Sequence, residues 1–211
     1  MSSVSSDRGH DLAERMAEAA RALQHQDDTQ ATLNSAVTLA LRNVEGCDAA
    51  GISFVHQRKL IDTPAATEEL VVVADRLQYE LGEGPCLDAI WEEEAVYSGR
   101  LAHDQRWLRW GPGAVEKTGA KSVLAFRLFT DENTLGALNL YSRSNDGFSQ
   151  DDRDDGLALA AQIAVAVAGA KQIANLNTAL NSRTVIAKAI EMLMERFTID
   201  DDRAFAVLAR V

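Results

Sequence analysis

Two cysteines and four histidines are the first residues to weigh for chemistry in this chain of 211 residues. Cys47 and Cys86 belong to no CxxC or Cys/His spacing, and His10, His25, His56 and His103 are scattered singly. Neither a disulfide framework nor a metal site is expected from that pattern. Cys86 follows Pro85 at the head of a predicted helix, where unsatisfied N–H groups favour a thiolate. The competing reading is a small residue packed under a sheet, preferred because no resolving cysteine is nearby. Haem would need an imidazole from His56 or His103 aimed into a pocket, and His56 falls beside a turn, so no haem is expected. Trp107 and Trp110 with Arg106 and Arg109 have the residue types of a base-stacking platform. Their i, i+3 spacing more simply makes an amphipathic segment covering a pocket or core edge. "GEGP" lacks the Gly-Lys-Ser/Thr continuation of a P-loop, and no Ser/His/Asp set is legible. No catalytic residue, metal or cofactor is expected; the chain reads as a non-enzyme.

Such residues need elements to position them, and the composition allows for those. With 46% hydrophobic and 25% charged residues the chain has the makeup of a folded globular protein. Its net charge of −11 argues against non-specific nucleic-acid binding by the whole surface. The acidity is uneven: residues 1–170 carry 15 Lys or Arg against 27 Asp or Glu, whereas residues from Lys171 onward carry six against five. "LALAAQIAVAVAGA" comes nearest to a membrane span but is Ala-rich and followed by Lys171, and "MSSVSSDRGHD" has no secretory pattern. No membrane association and a cytoplasmic location are expected.

Leu12, Met16, Ala19 and Leu23 mark one amphipathic helix after a short polar tail, and Leu33, Ala36, Val37, Ala40, Leu41 and Val44 a second. "CDAAGISFVH" reads as a strand, with "RKLID" as its antiparallel return after a reversal near Gln57-Arg58. Thr67 is predicted to cap a helix running to about Tyr79. Gly82 and Gly84 supply a bend, and Pro85 suits the first position of the next helix. "AVYSG" reads as a short strand, and "HDQRWLRWGPGAVEKTG" as loop and helix interrupted at Gly111-Pro112-Gly113. "KSVLAFRLF" and "LGALNLYSR" make a hairpin across "TDENT". Ser149 with Asp152 forms a capping arrangement for a long helix. Along it, Leu159, Ile163, Ala166, Ala170, Ile173, Asn177 and Leu180 alternate in steps of four and three, a heptad seam. A new helix is predicted from about Asn181-Ser182, with its apolar face at Ile186, Ala189, Ile190 and Leu193. Antiparallel strands flanked by helices place the chain in the α+β class.

"LQYELGEGPCLDAI", "AKSVLAFRL" and "LGALNLYS", at 77–90, 120–128 and 135–142, resemble the bacterial GAF domain. The resemblance implies an antiparallel sheet flanked by helices over 27–170, after an N-terminal tail and helix at 1–26. It also implies a small-molecule pocket between the sheet and the 77–110 segment. Phe54, Leu77, Tyr79, Cys86, Trp107, Phe126 and Asn139 are the expected ligand-binding residues, for a small ligand or signalling partner whose identity is open. The Asn-Lys-…-Phe-Asp-Glu signature of cyclic-nucleotide GAF domains is absent.

"LNSRTVIAKAIEMLMER" followed by "DDDRAFAVLARV" resembles the start of an ANTAR domain, the RNA-binding module of transcription antiterminators. Ile190-Glu191 stand where that family has Lys-Gly, and the family's third helix lies beyond Val211, so the implied bundle is incomplete. The expected organisation is thus a coiled-coil linker at 171–182 and a partial ANTAR domain at 183–211. Arg183, Lys188, Arg196, Arg203 and Arg210 are the candidate RNA contacts. Ile163, Ala166, Ala170, Ile173, Asn177 and Leu180 are the candidate dimer seam of a parallel homodimer. Together these imply a sensor-regulator of transcription antitermination. The alternative is a ligand-binding or protein-interaction GAF dimer whose ANTAR-like part does not bind RNA.

Overall fold

A computed structural model describes residues 2–24, 26, 28–56, 60–130 and 133–209. The chain divides into two units, residues 1–170 and 171–211. The first begins with helices α1 (Ser2–Gln24) and α2 (Thr29–Asn43), followed by strands β1 (Ala49–His56) and β2 (Leu60–Ala66). Helices α3 (Glu69–Leu81) and α4 (Pro85–Trp91) lead to strand β3 (Ala95–Ser98). A single 3-10 turn (Leu101–His103) precedes α5 (Trp110–Thr118), strands β4 (Ser122–Thr130) and β5 (Asn133–Ser142), and the long helix α6 (Gln150–Phe197). The strands form one antiparallel sheet in the order β2-β1-β5-β4-β3. The predicted reversal at Gln57-Arg58 and the centre of "TDENT" lie outside the described residues.

Strand alternation gives the sheet two buried faces. Ala50, Ile52, Phe54, Leu124, Phe126, Leu128, Leu138 and Leu140 form one core with Met16, Leu23, Leu33, Val37, Leu159 and Ile163 from α1, α2 and α6. Ala49, Val123, Ala125, Ala137 and Tyr141 face the other way, against Val71, Leu77, Cys86, Ile90, Trp107 and Trp110. The residues on this second side of β1 are small. A Cβ on Gly51 would overlap the Val71 side chain, so glycine lets α3 lie close on the sheet.

Several local signals resolve differently from their sequence reading. Thr67 does not cap α3: the cap position is Glu68, and the Thr67 hydroxyl accepts the Ala50 N–H at 2.9 Å. Gly82 ends α3 in the left-handed region, at φ 67°. Gly111-Pro112-Gly113 do not interrupt a helix but lie in the first turns of α5. There the N–H that proline lacks has no partner within the helix to lose. The Ser149–Asp152 capping box is present: Ser149 N–H donates to Asp152 Oδ2 at 2.8 Å, and Asp152 N–H to Ser149 Oγ at 3.1 Å. Asp152 Oδ1 also accepts Glu45 N–H at 3.0 Å, and Asp155 meets Arg15 at 2.7 Å. The head of α6 is thereby tied to α1 and to the chain entering β1.

No new helix starts at Asn181-Ser182, because α6 continues unbroken to Phe197. Both residues are exposed, so the helix meets no packing conflict there. Its left-handed end at Thr198, φ 53°, precedes helix α7 (Asp201–Leu208), capped by Asp200 accepting the Arg203 N–H at 2.9 Å. By length and hydropathy, with a mean of 1.6 in its most apolar window, α6 could cross a membrane. Leu159, Ala160, Ile163, Ala164 and Val167, however, face the sheet core. In the second unit, Val185, Ile186, Ala189, Phe205, Leu208 and Ala209 line an apolar groove of about 310 Å³.

Candidate functional site

α3 turns Val71, Ala74, Asp75, Leu77 and Gln78 toward the sheet, so its buried face includes a carboxylic acid. Asp75 is 0% exposed. Its Oδ1 accepts from Tyr141 OH at 2.6 Å, Asn139 Nδ2 at 3.2 Å and Gln78 Nε2 at 3.3 Å. Its Oδ2 lies 3.0 Å from Thr63 Oγ1, 3.2 Å from Ser53 Oγ and 3.2 Å from Asn139 Nδ2. Strands β1, β2 and β5 therefore all reach one carboxyl on α3.

The cluster extends outward. Tyr79 OH sits 2.7 Å from Ser53 Oγ and 2.9 Å from Thr63 Oγ1, closing a loop of hydroxyls with Asp75. Cys86 Sγ donates to Ser53 Oγ at 3.1 Å, and the Cys86 N–H to Gln78 Oε1 at 2.8 Å. Gly84, at φ 142°, passes so close to Gln78 that a Cβ would overlap its amide. The glycine bend thus seats the N-terminus of α4 on the Gln78 side chain. Asn139 Oδ1 is buried without a hydrogen-bond partner among the described residues.

Burial shapes the acid–base character of these groups. It pushes the Asp75 carboxyl up, against the opposing bonds from Tyr141, Thr63, Asn139 and Ser53. Burial, with the Asp75 charge nearby, also raises the Tyr141 and Tyr79 phenols. The Cys86 thiol is pushed up to about 12 by burial, so it is a thiol and not an activated thiolate. Two tryptophans seal the site: Trp107 Nε1 donates to Asp88 at 2.8 Å and Trp110 Nε1 to the Ala74 carbonyl at 3.0 Å. Their rings meet edge to face at 5.7 Å. The arrangement can hold or release a proton.

The residues expected to share one ligand pocket separate. Leu77, Tyr79, Cys86, Trp107 and Asn139 do lie together on the α3–α5 side. Phe54 and Phe126 do not join them; strand alternation turns both to the α1–α2–α6 side. Between sheet and helices, Cys86, Trp107, Trp110, Asn139 and Tyr141 interdigitate as buried side chains. A groove of about 540 Å³ opens elsewhere, lined by Arg127, Phe129, Leu157, Ala161, Ala164 and Val165 among others. Asp75, Ser53, Thr63, Gln78 and Tyr141 were not among the residues expected at the site. An acid among the apolar positions of the 67–79 helix was the available signal.

The expected seam on α6 divides as well. Ile163 is 0% exposed inside its own chain's core, so it cannot be a knob toward a partner. Ala166 packs against that core and Ala170 is half-buried, whereas Ile173, Asn177 and Leu180 are exposed. Arg183, Lys188, Arg196 and Arg203 are exposed on α6 and α7, with Arg203 4.0 Å from Asp200. Arg210 lies outside the described residues.

The family model for the GAF domain matches residues 26–168. The chain belongs to the GAF family. The model for the ANTAR domain matches residues 174–211, so a GAF domain is followed by an ANTAR domain. No curated protein matches the chain. Among solved structures, the GAF domain of a phosphoenolpyruvate-protein phosphotransferase from Coxiella burnetii aligns with a TM-score of 0.62 and 14% identity. The alignment covers 78% of this chain and 96% of that one. The GAF domain of the Acinetobacter phosphoenolpyruvate-protein phosphotransferase gives 0.60 at 14% identity, over 78% and 97%. Free methionine-R-sulfoxide reductase from Neisseria meningitidis, solved with its substrate, gives 0.59 at 16%, over 77% and 91%. At these identities the likeness is one of fold. A GAF domain coupled to an ANTAR domain makes the protein a regulator of the GAF–ANTAR kind.

Proposed function

We propose that this GAF–ANTAR protein is a homodimeric, non-enzymatic, cytoplasmic sensor-regulator of transcription antitermination. Its GAF domain reads a small ligand or signalling partner, and its ANTAR domain contacts an RNA hairpin. The observation that carries this reading is α6, one continuous helix from Gln150 to Phe197. Its first turns are fastened to the GAF core through Asp152 and Asp155, and its later turns, from Ala174, belong to the ANTAR match. In this reading a displacement of α6 carries the output of the GAF domain. Exposed Ile173, Leu176 and Leu180 supply apolar surface for pairing with a second copy. The burial and raised value of Cys86 support a non-enzymatic domain. Titration of the full chain against a paired-hairpin antiterminator RNA across salt, with sedimentation at micromolar concentration, tests both claims. A monomer that ignores the RNA would overturn them.

A second reading is a GAF dimer whose ANTAR part pairs without binding RNA. The position of the cations favours it. At 100° per residue, Arg183 stands about 140° around α6 from both Lys188 and Arg196. Three cations spread around a helix cannot all face one phosphate track. Dimerisation without salt-sensitive RNA binding would select this reading.

A further inference from the structure

Among the described residues, every side chain hydrogen-bonded to Asp75 is neutral. The side chains bonded to Asp75 are Ser53 from β1, Thr63 from β2, Gln78 from α3, and Asn139 and Tyr141 from β5. The titratable groups facing it are Tyr79 on α3 itself, Cys86 on α4 and Tyr141 on β5, all neutral near pH 7 and all pushed further toward neutrality by burial. From α5 the neighbour is the Trp110 indole, held on the Ala74 carbonyl. A carboxylate surrounded in this way is costly even when well hydrogen-bonded.

We propose that the Asp75 cluster is a proton-binding switch: the docked α3 holds a neutral carboxylic acid, and ionisation of Asp75 loosens α3 from the sheet. The hydroxyls can reorient to bond either charge state, but only the neutral acid leaves no uncompensated buried charge under the docked α3. With Asp75 ionised, Ser53 and Thr63 donate to Oδ2 and Tyr79 donates to one of them. With Asp75 protonated, donation can run from Oδ2–H to Thr63, on to Tyr79, to Ser53 and back to the carboxyl. The distances of 3.0, 2.9, 2.7 and 3.2 Å close that ring. Thr63 and Tyr79 are its less buried members, so the proton enters and leaves from their end.

The sign follows from the raised carboxyl. Below the ordinary Asp value of about 3.9 both folded and unfolded chains hold the proton, and Asp75 contributes no pH dependence. Above it, the unfolded chain releases the proton while the folded chain keeps it. Stability then falls with rising pH until the folded carboxyl also ionises. Asp75→Asn abolishes this dependence.

The test uses the full chain. Infrared spectra with 13C-labelled aspartate are expected to show a protonated-carboxyl band at neutral pH in the wild type that is missing in Asp75→Asn. The ratio of the two proteins' unfolding constants is expected to change about tenfold per pH unit inside the window. Tryptophan emission, reporting the Trp110–Ala74 bond, is expected to shift with pH in the wild type alone. Should Asp75→Asn fail to fold, the labelled wild-type spectrum decides by itself. A carboxylate band without a protonated one at neutral pH would overturn the switch. So would a flat ratio, or wild-type stabilisation by ammonium or potassium ions, which would show a cation and not a proton balancing the charge.

Discussion

Glu83 lies in the bend between α3 and α4, yet its carboxylate works at the head of a third helix. Its Oε1 accepts the N–H groups of Arg109 and Trp110, each at 2.7 Å. Bonds from the Trp110 and Arg109 backbones hold the Glu83 carboxyl below its usual range. The stabilisation is full above the ordinary Glu value of about 4.3 and is lost as pH falls through the lowered folded value. Glu83→Ala is expected to cost about 1 kcal/mol at neutral pH, the usual worth of a helix cap. Urea melts at a series of pH values check this, and the cost should shrink in acid. A second residue-scale outcome concerns Cys86 and Cys47. Burial pushes both thiols up to about 12. A thiol-reactive chromogenic disulfide should leave both unmodified in the native chain at pH 8 and react with two thiols after denaturation. Fast native labelling of Cys86 would restore the reactive-thiolate reading.

The elements divide the apolar residues of α6 by what each one touches. Ile163 is enclosed by the GAF core, so Ile163→Ala is expected to cost about 2–5 kcal/mol, read in a denaturant melt. Leu180 is 59% exposed, so Leu180→Ala should change stability by less than about 0.5 kcal/mol while weakening self-association in sedimentation. If Leu180→Ala left a dimer intact, the pairing surface would lie elsewhere on the chain. This division also shows where sequence was informative. Strand-like runs located β1, β4 and β5, and the stretch between Thr67 and Tyr79 located α3. The heptad steps from Leu159 to Leu180 were real as spacing. Spacing alone does not say whether a residue faces its own sheet or a partner, and the sheet takes the first part. Asn181-Ser182 looked like a cap because both residues compete with helical hydrogen bonding; exposed and unopposed, they stay helical. The cluster around Asp75 was illegible for a different reason, although the acid itself stood out among the apolar positions of its helix. Its partners come from β1, β2 and β5, and only the folded sheet brings Ser53, Thr63, Asn139 and Tyr141 to one carboxyl.

For the whole molecule the deciding quantity is charge. The chain carries a net −11, and the residues from Lys171 onward hold six Lys or Arg against five Asp or Glu. An RNA offered to the ANTAR domain in a titration would therefore meet a sequence of nearly balanced charge. Arg203 is within 4.0 Å of Asp200, and Arg183 faces away from Lys188 and Arg196. Each phosphate contact contributes about 0.7–0.9 to the slope of log affinity against log salt. With no more than two or three cations able to meet one RNA face per protomer, a slope shallower than about 3 is expected. Affinity should accordingly be weak at physiological salt, and Lys188→Ala with Arg196→Ala should flatten the slope by about 1–2. A fluorescence titration of the full chain with a paired-hairpin RNA at several salt concentrations measures all three quantities. Tight binding with a steep slope would mean that two protomers combine their cations on one RNA. Arg183→Ala should then weaken binding as much as the Lys188 and Arg196 substitutions do.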